Sequence, residues 1–183
     1  DLPSCKFILL GDGPEKSRLM TLAKELGLTN LFFMDPVTKV IMPEIVAASD
    51  VAVIPLRKLE LFKGAIPSKI FESLSMKKPI LLGVEGEARD LFITEGKCGL
   101  AFTPESAEEL AQAVRQLERD RDLVREFGEN GRKYAADKFD RNQIAADFLN
   151  TDIDVFIGGG KAHFTQRKDG RNLVDELKEK GYR

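Results

Sequence analysis

The sequence predicts an α/β fold built on a parallel sheet, with a strand–helix appendage at its C-terminal end. Three observations predict it. Short apolar runs such as "KFILLG" and "PILLGV" alternate with longer segments of helical period. The 183 residues suffice for one domain with a real core plus an appendage. Hydrophobic residues at 43% and charged residues at 32% form an ordinary globular balance, with no case for disorder.

Each element has its own justification. "KFILLG" is an apolar strand, and "PEKSRLMTLAKELGL" a helix with Leu19, Leu22, Ala23 and Leu26 on one stripe. "NLFFM" is the next strand, and "MPEIVAAS" starts a helix with Pro43 in its first turn. "DVAVIPL" is a strand that Pro55 brings to a stop. A helix opens at "IPSK", with Pro67 suited to its first position and Ile66, Ile70, Phe71 and Leu74 on its buried stripe. Strand "PILLGV", helix "GEARDLFITEG", strand "CGLAF" and helix "SAEELAQAVRQLER" follow, the last with Ser106 and Glu109 as a capping box. "DLVREFGENGRKYAADKF" and "NQIAADFL" read as a packing arm. The chain changes character near Asn150, where "DIDVFIGGG" is a new strand and "GRNLVDELKEKGY" a further helix.

Several function classes are excluded early. A net charge of −2 offers no basic footprint for nucleic acid. No apolar run reaches the roughly 20 residues of a membrane span, and no signal peptide is legible. The chain lacks an initiator Met and reads as a piece of something longer. Cys5 and Cys98, far apart on separate predicted strands, suit buried free thiols, and they make no metal framework. The sole histidine, His163, is expected at the surface. It excludes a multi-histidine metal site and lends little to a Ser-His-Asp triad. Chemistry here must rest on positioning.

Three stretches could carry it. "GDGP" follows a strand and opens a helix, so Gly11 and Gly13 let a ligand approach the backbone, although Lys16 breaks the G-x-G-x-x-G spacing. Taken alone, the stretch reads first as a tight strand-to-helix turn. "GAIPSKIFESLS" puts Ser68 and Glu72 four apart on one helical face, with Glu72 one turn in beside the apolar stripe and expected to look buried. Amides after Pro67, with Lys69, could hold a diphosphate, while Glu72 accepts hydrogen bonds from ribose hydroxyls. The bland reading makes Ser68 a helix start and Glu72 a polar-face residue. Its place after a central strand, where open α/β sheets bind ligands, favours function. In "GVEGEARDLF", Gly86 is a candidate N-cap and Glu87 lies in the first turn.

Taken together, "FILLGDGPEKSRLMTLAKELGLTNLFFMDPV", "AASDVAVIPL", "GAIPSKIFESLSMKKPILLGVEGEARDL" and "FGENGRKYAADKFDRNQIAADFL" resemble the C-terminal half of a GT-B-fold glycosyltransferase of the retaining group 1 (family 4) type. The wording is closest to the WbuB-like members that build bacterial surface polysaccharide. The resemblance implies a Rossmann-like half-domain over residues 1–149 that binds a nucleotide sugar, usually a UDP-sugar, as substrate and without a cofactor. It implies transfer to a glycan or lipid-linked acceptor, in the cytoplasm or at the inner membrane face. Carried over, Glu72 matches the second glutamate of the E-x7-E motif and holds the ribose, Ser68 and Lys69 lie at the diphosphate, and backbone near Val37 lies at the base. Gly64 stands where the first glutamate belongs, moving the donor-sugar contact to loop backbone or losing it.

The chain also begins at what would be that domain's second strand, without the acceptor half. Transfer by this chain alone is therefore expected to be undetectable. The family order leaves a gap between "KFILL" and "VAVIP", to be relieved first by direct pairing, next by capture of residues 153–157, and last by a split sheet. Residues 152–183, "DIDVFIGGGKAHFTQRKDGRNLVDELKEKGYR", resemble an internal stretch of bacterial alkaline phosphatases, without that family's nucleophile or metal ligands. Such a join, with residues 150–183 as the second part, suggests a chimera. A phosphatase fragment and a non-catalytic α/β module are the alternative readings.

Overall fold

A computed structural model describes residues 2–147, 162–167 and 169–181. By packing, the chain divides into units Asp1–Arg132 and Lys133–Arg183. That division falls within one helix, whereas the expected boundary between residues 149 and 150 lies outside the described residues, as do residues 153–157.

The first unit alternates strand and helix as the apolar pattern requires: β1 (Phe7–Leu10), α1 (Lys16–Glu25), β2 (Leu31–Met34), α2 (Met42–Ala48) and β3 (Ala52–Pro55), then α3 (Lys69–Ser75), β4 (Ile80–Gly83), α4 (Glu87–Arg89), β5 (Gly99–Ala101) and α5 (Ala107–Arg119). A π-helical turn, Asp90–Glu95, continues α4. All strand pairs among the described residues are parallel. β3, β4 and β5 form one sheet with β4 central, Val53 opposite Leu81 and Leu81 opposite Leu100. β1 pairs with β2 in a separate two-stranded sheet. Direct pairing of β1 with β3 does not occur among the described residues, whose strands split into two sheets, and the capture expected of residues 153–157 lies outside them.

Burial follows that split. β4 is buried along its whole length because strands flank both its edges, and it centres a core of Ile70, Leu74, Ala88, Phe92, Cys98 and Phe102. Leu117 and Val124 extend the core below Leu81. Between β1 and α2 only Ala23 is buried, while Ile8 stays 51% and Leu26 62% exposed. The apolar stripe expected on α1 is therefore largely uncovered, since β1 and β2 offer two strands rather than a layered sheet to pack on.

Local chemistry sets the helix ends. Pro43 sits in the first turn of α2 as expected. Pro67 stays outside α3, and Ser68 takes the N-cap position without a side-chain cap bond. Lys77, at φ 57°, ends α3 while Lys78 N–H bonds back to Ser73 O at 3.0 Å, a left-handed stop. The expected capping box of α5 is half formed. Ser106 Oγ accepts from Glu109 N, but the Glu109 carboxylate turns to Thr103, accepting from its N–H at 2.6 Å and its hydroxyl at 3.0 Å. The cysteines precede β1 and β5 rather than lying within them, and both are free.

α6 (Arg121–Phe139) leads into the second unit, where α7 (Arg141–Asp147), α8 (Ala162–Thr165) and α9 (Leu173–Glu179) follow. Ala146, Leu173 and Leu177 form its core with Phe164. Arg167 donates to Asn142 O and pairs with Asp169, whose carboxyl is thereby held down at about 2.

Candidate functional site

The strands deliver the expected residues to the C-terminal ends of two sheets. Behind β1 and β2 lie Gly11, Gly13 and Val37. Gly11 has φ 133° and donates its N–H to Met34 O at 3.1 Å, which locks the turn to the end of β2. Gly13 is exposed, but its N–H is already held by Asp12 Oδ1 at 2.9 Å, so an incoming anion would have to displace a carboxylate. Lys16 bridges to Asp35 at 2.7 Å, joining the start of α1 to the loop after β2 and drawing the Asp35 carboxyl below its ordinary range by hydrogen bond and charge. Val37, two residues past Asp35, is half-buried.

Behind β3 lies the second group. Gly64, Ser68, Lys69 and Glu72 are all exposed. Glu72 is thus not buried against the stripe, because Ile70, Ser73 and Leu74 are the residues of α3 that its contacts with β3 and β4 bury. Glu72 N–H reaches Ser68 O at 3.4 Å, which stacks the two residues on the outer face, and no described residue bonds the Ser68 hydroxyl or the Glu72 carboxylate. A hydroxyl, an ammonium and a carboxylate therefore stand open within five residues, able to donate to phosphate oxygens and accept from vicinal hydroxyls. α3 has only seven residues, so its dipole adds little and the side chains must supply the contacts. No described hydrogen bond or ion pair joins the Gly11–Val37 group to the Gly64–Glu72 group.

Sequence reasoning missed the loop between them in the chain. Residues 56–63 leave β3 with Leu56 N–H on Gly83 O at 3.0 Å, then make a 3-10 turn at Glu60–Phe62. Three ion pairs hold this loop: Arg57–Glu105 at 3.8 Å, Lys58–Glu85 at 3.7 Å and Lys63–Glu60 at 2.8 Å. The last raises the Lys63 pKa through its hydrogen bond and charge. A small cavity between Leu56, Lys58, Phe62, Val84, Glu85 and Pro104 lies beneath it. The charged run "LRKLELFKG", directly after the strand-ending proline, was the signal that could have marked it. Gly86, expected as the N-cap of α4, holds that place at φ 82°. Among the described residues no group of His, Cys, Asp and Glu could hold a metal ion, and no helix is long and apolar enough to cross a membrane.

Comparison with known proteins adds a family. The chain is 29% identical to the exopolysaccharide phosphotransferase SCO2592 of Streptomyces coelicolor over 75% of its own length and 14% of that protein's. It is 27% identical to the alpha-D-kanosaminyltransferase of Streptomyces kanamyceticus over 74% of its length and 34% of the relative's. The chain thus spans about a third or less of these curated relatives. Among solved structures it superposes on Anabaena Alr3699/HepE in complex with UDP-glucose with a TM-score of 0.66 and 24% identity, covering 81% of this chain and 42% of that one. WaaG, a glycosyltransferase involved in lipopolysaccharide biosynthesis, gives 0.61 and 24%, covering 78% and 37%. These likenesses confirm the parallel α/β, Rossmann-like fold. The alkaline phosphatase family matches residues 124–183, in keeping with the second resemblance. The family described as "Glycosyl transferases group 1" matches residues 1–134, so the chain belongs to the group 1 glycosyl transferases.

Proposed function

We propose that this chain is the nucleotide-sugar-binding part of a glycosyltransferase, whose donor is a UDP-sugar and whose acceptor is a glycan or lipid-linked sugar in surface-polysaccharide synthesis. The observation that carries the reading is the family match over residues 1–134 together with the open Ser68–Lys69–Glu72 face behind β3. Glu72 accepts from the ribose hydroxyls, and Ser68 and Lys69 donate to the diphosphate. Gly11, Gly13 and the backbone at Val37 complete the nucleotide site from the β1–β2 side, and Gly64 leaves room for the donor sugar. Nothing lies within 4 Å of where a Gly64 side chain would begin. Solved neighbours carry UDP or UDP-glucose, which supports the choice of nucleotide.

The chemistry is positional. A departing UDP is stabilised by donors fixed before the reaction begins, and no nucleophile on this chain is required. Titration of the purified chain with UDP, followed by calorimetry, tests the reading. Glu72→Ala should weaken binding tenfold or more, since hydrogen bonds to a charged group are worth about 1.5–3 kcal/mol. Thermal stability should stay put, because Glu72 is exposed and makes no described side-chain bond. Equal affinity in the two proteins would overturn the assignment of Glu72.

A further inference from the structure

We propose that Gly86 is a positioning residue for nucleotide-sugar binding: it fastens the loop of residues 56–67 that carries Gly64 and leads into Ser68. The inference rests on the reading that residues 64–72 hold the donor.

The loop is anchored at one end by Leu56 N–H on Gly83 O and at the other by α3, whose Ile70 and Leu74 are fully buried. Between those anchors its backbone meets another loop at Lys63. There the Glu87 N–H, the first amide of α4, donates to Lys63 O at 2.9 Å. The Lys63 N–H itself bonds to Glu60 O at 3.1 Å, and Ala65 N–H to Phe62 O at 3.0 Å, so the peptide before Lys63 is held within the turn, and the one after it, shared with Gly64, is held by Glu87. Moving Lys63 O therefore moves Gly64 with it.

Only glycine permits this contact. Gly86 sits at φ 82°, a conformation L side chains rarely adopt. A Cβ there would overlap the Lys63 carbonyl oxygen and come within 3.0 Å of both the Lys63 carbonyl carbon and its Cβ. The obstacle is backbone, so no rotamer change relieves it, and the loop must lift off the β4–α4 turn. The pairs Lys58–Glu85 and Arg57–Glu105, solvent-accessible and at 3.7 and 3.8 Å, cannot replace it, since such pairs hold little on their own. Displacement of a binding loop by about 1 Å is enough to weaken a site strongly.

The test uses the full chain with Gly86→Ala and a control, Val124→Ala, which loosens the core cluster of Leu81, Phe102 and Leu117. Hydrogen exchange by mass spectrometry reports on peptides covering residues 56–67 and 80–83, and UDP affinity is measured on the same samples. Gly86→Ala should speed exchange in 56–67 by about tenfold or more while leaving 80–83 close to wild type, and should weaken UDP about tenfold. Val124→Ala should do neither selectively. Unchanged loop exchange in Gly86→Ala, or loss of affinity no greater than in the control, overturns the proposal. If the unmodified chain binds no UDP, the functional reading fails on its own, and the exchange contrast alone still decides whether Gly86 fastens the loop.

Discussion

Cys98 and Cys5 show how one residue type takes two roles from its surroundings. Cys98 is fully buried before β5 and its thiol is pushed up to about 12 by desolvation, whereas Cys5 is half-exposed. Iodoacetamide at pH 8 should therefore label Cys5 in the native chain and reach Cys98 only after unfolding, with peptide mass spectrometry as the readout. The pH dependence has a definite sign. The folded thiol keeps its proton while the unfolded thiol, with an ordinary pKa near 9.0, loses it, so stability present below pH 9 declines as pH rises toward 12. Denaturant titrations of the chain and of Cys98→Ala between pH 8 and 11 should show the shallower decline in the variant. Glu72 teaches a different lesson at the same scale. Its spacing from Ser68 was legible, but its exposure was not, because periodicity cannot say how wide a strip of a short helix its neighbours cover.

At the scale of elements, β4 was the easiest strand to read and β5 the most constrained. "PILLGV" is apolar without alternation because β3 and β5 both pair with it and helices cover its faces. Gly99 opens β5 opposite Ile80, where a Cβ would overlap the Ile80 carbonyl oxygen and come within 2.8 Å of its carbonyl carbon. Gly99→Ala should thus cost about 3 kcal/mol, at the upper end of overpacking effects, because the strands must part to admit it. A urea titration in which the variant matched the parent would contradict that register. The half-formed cap of α5 also belongs to this scale. Ser106 and Glu109 had the right spacing, yet Thr103 offered the carboxylate two donors where the N-cap amide offered one, and that N–H bonds Thr103 O instead.

Across the whole first unit, stability should be uneven. Among the described residues β1 and β2 pair only with each other, and Ala23 is the one buried residue that α1 contributes beside them, while β4 lies wholly within the core. Amides of residues 7–10 and 31–34 should exchange through local opening, at least a hundredfold faster than those of residues 80–83, since local opening free energies range from near zero to the global value. Equal protection of the two sheets in a hydrogen-exchange experiment would mean that they unfold as one body.

The sequence by itself determined the kinds and order of the elements, the parallel sheet, and the chemical character of the candidate site, because periodicity, turn residues and motif spacing are local properties that a linear chain displays. It marked Ser68, Lys69 and Glu72 for the same reason. Only the tertiary structure decided that β1 and β3 stay apart, that α1 leaves most of its stripe uncovered, and that Lys63 is held against Gly86. Those outcomes depend on which distant backbone groups meet. Residues 63 and 86 lie far apart in the chain with nothing in their identities to pair them, and the parallel order of β3 and β4 brings their loops to one edge.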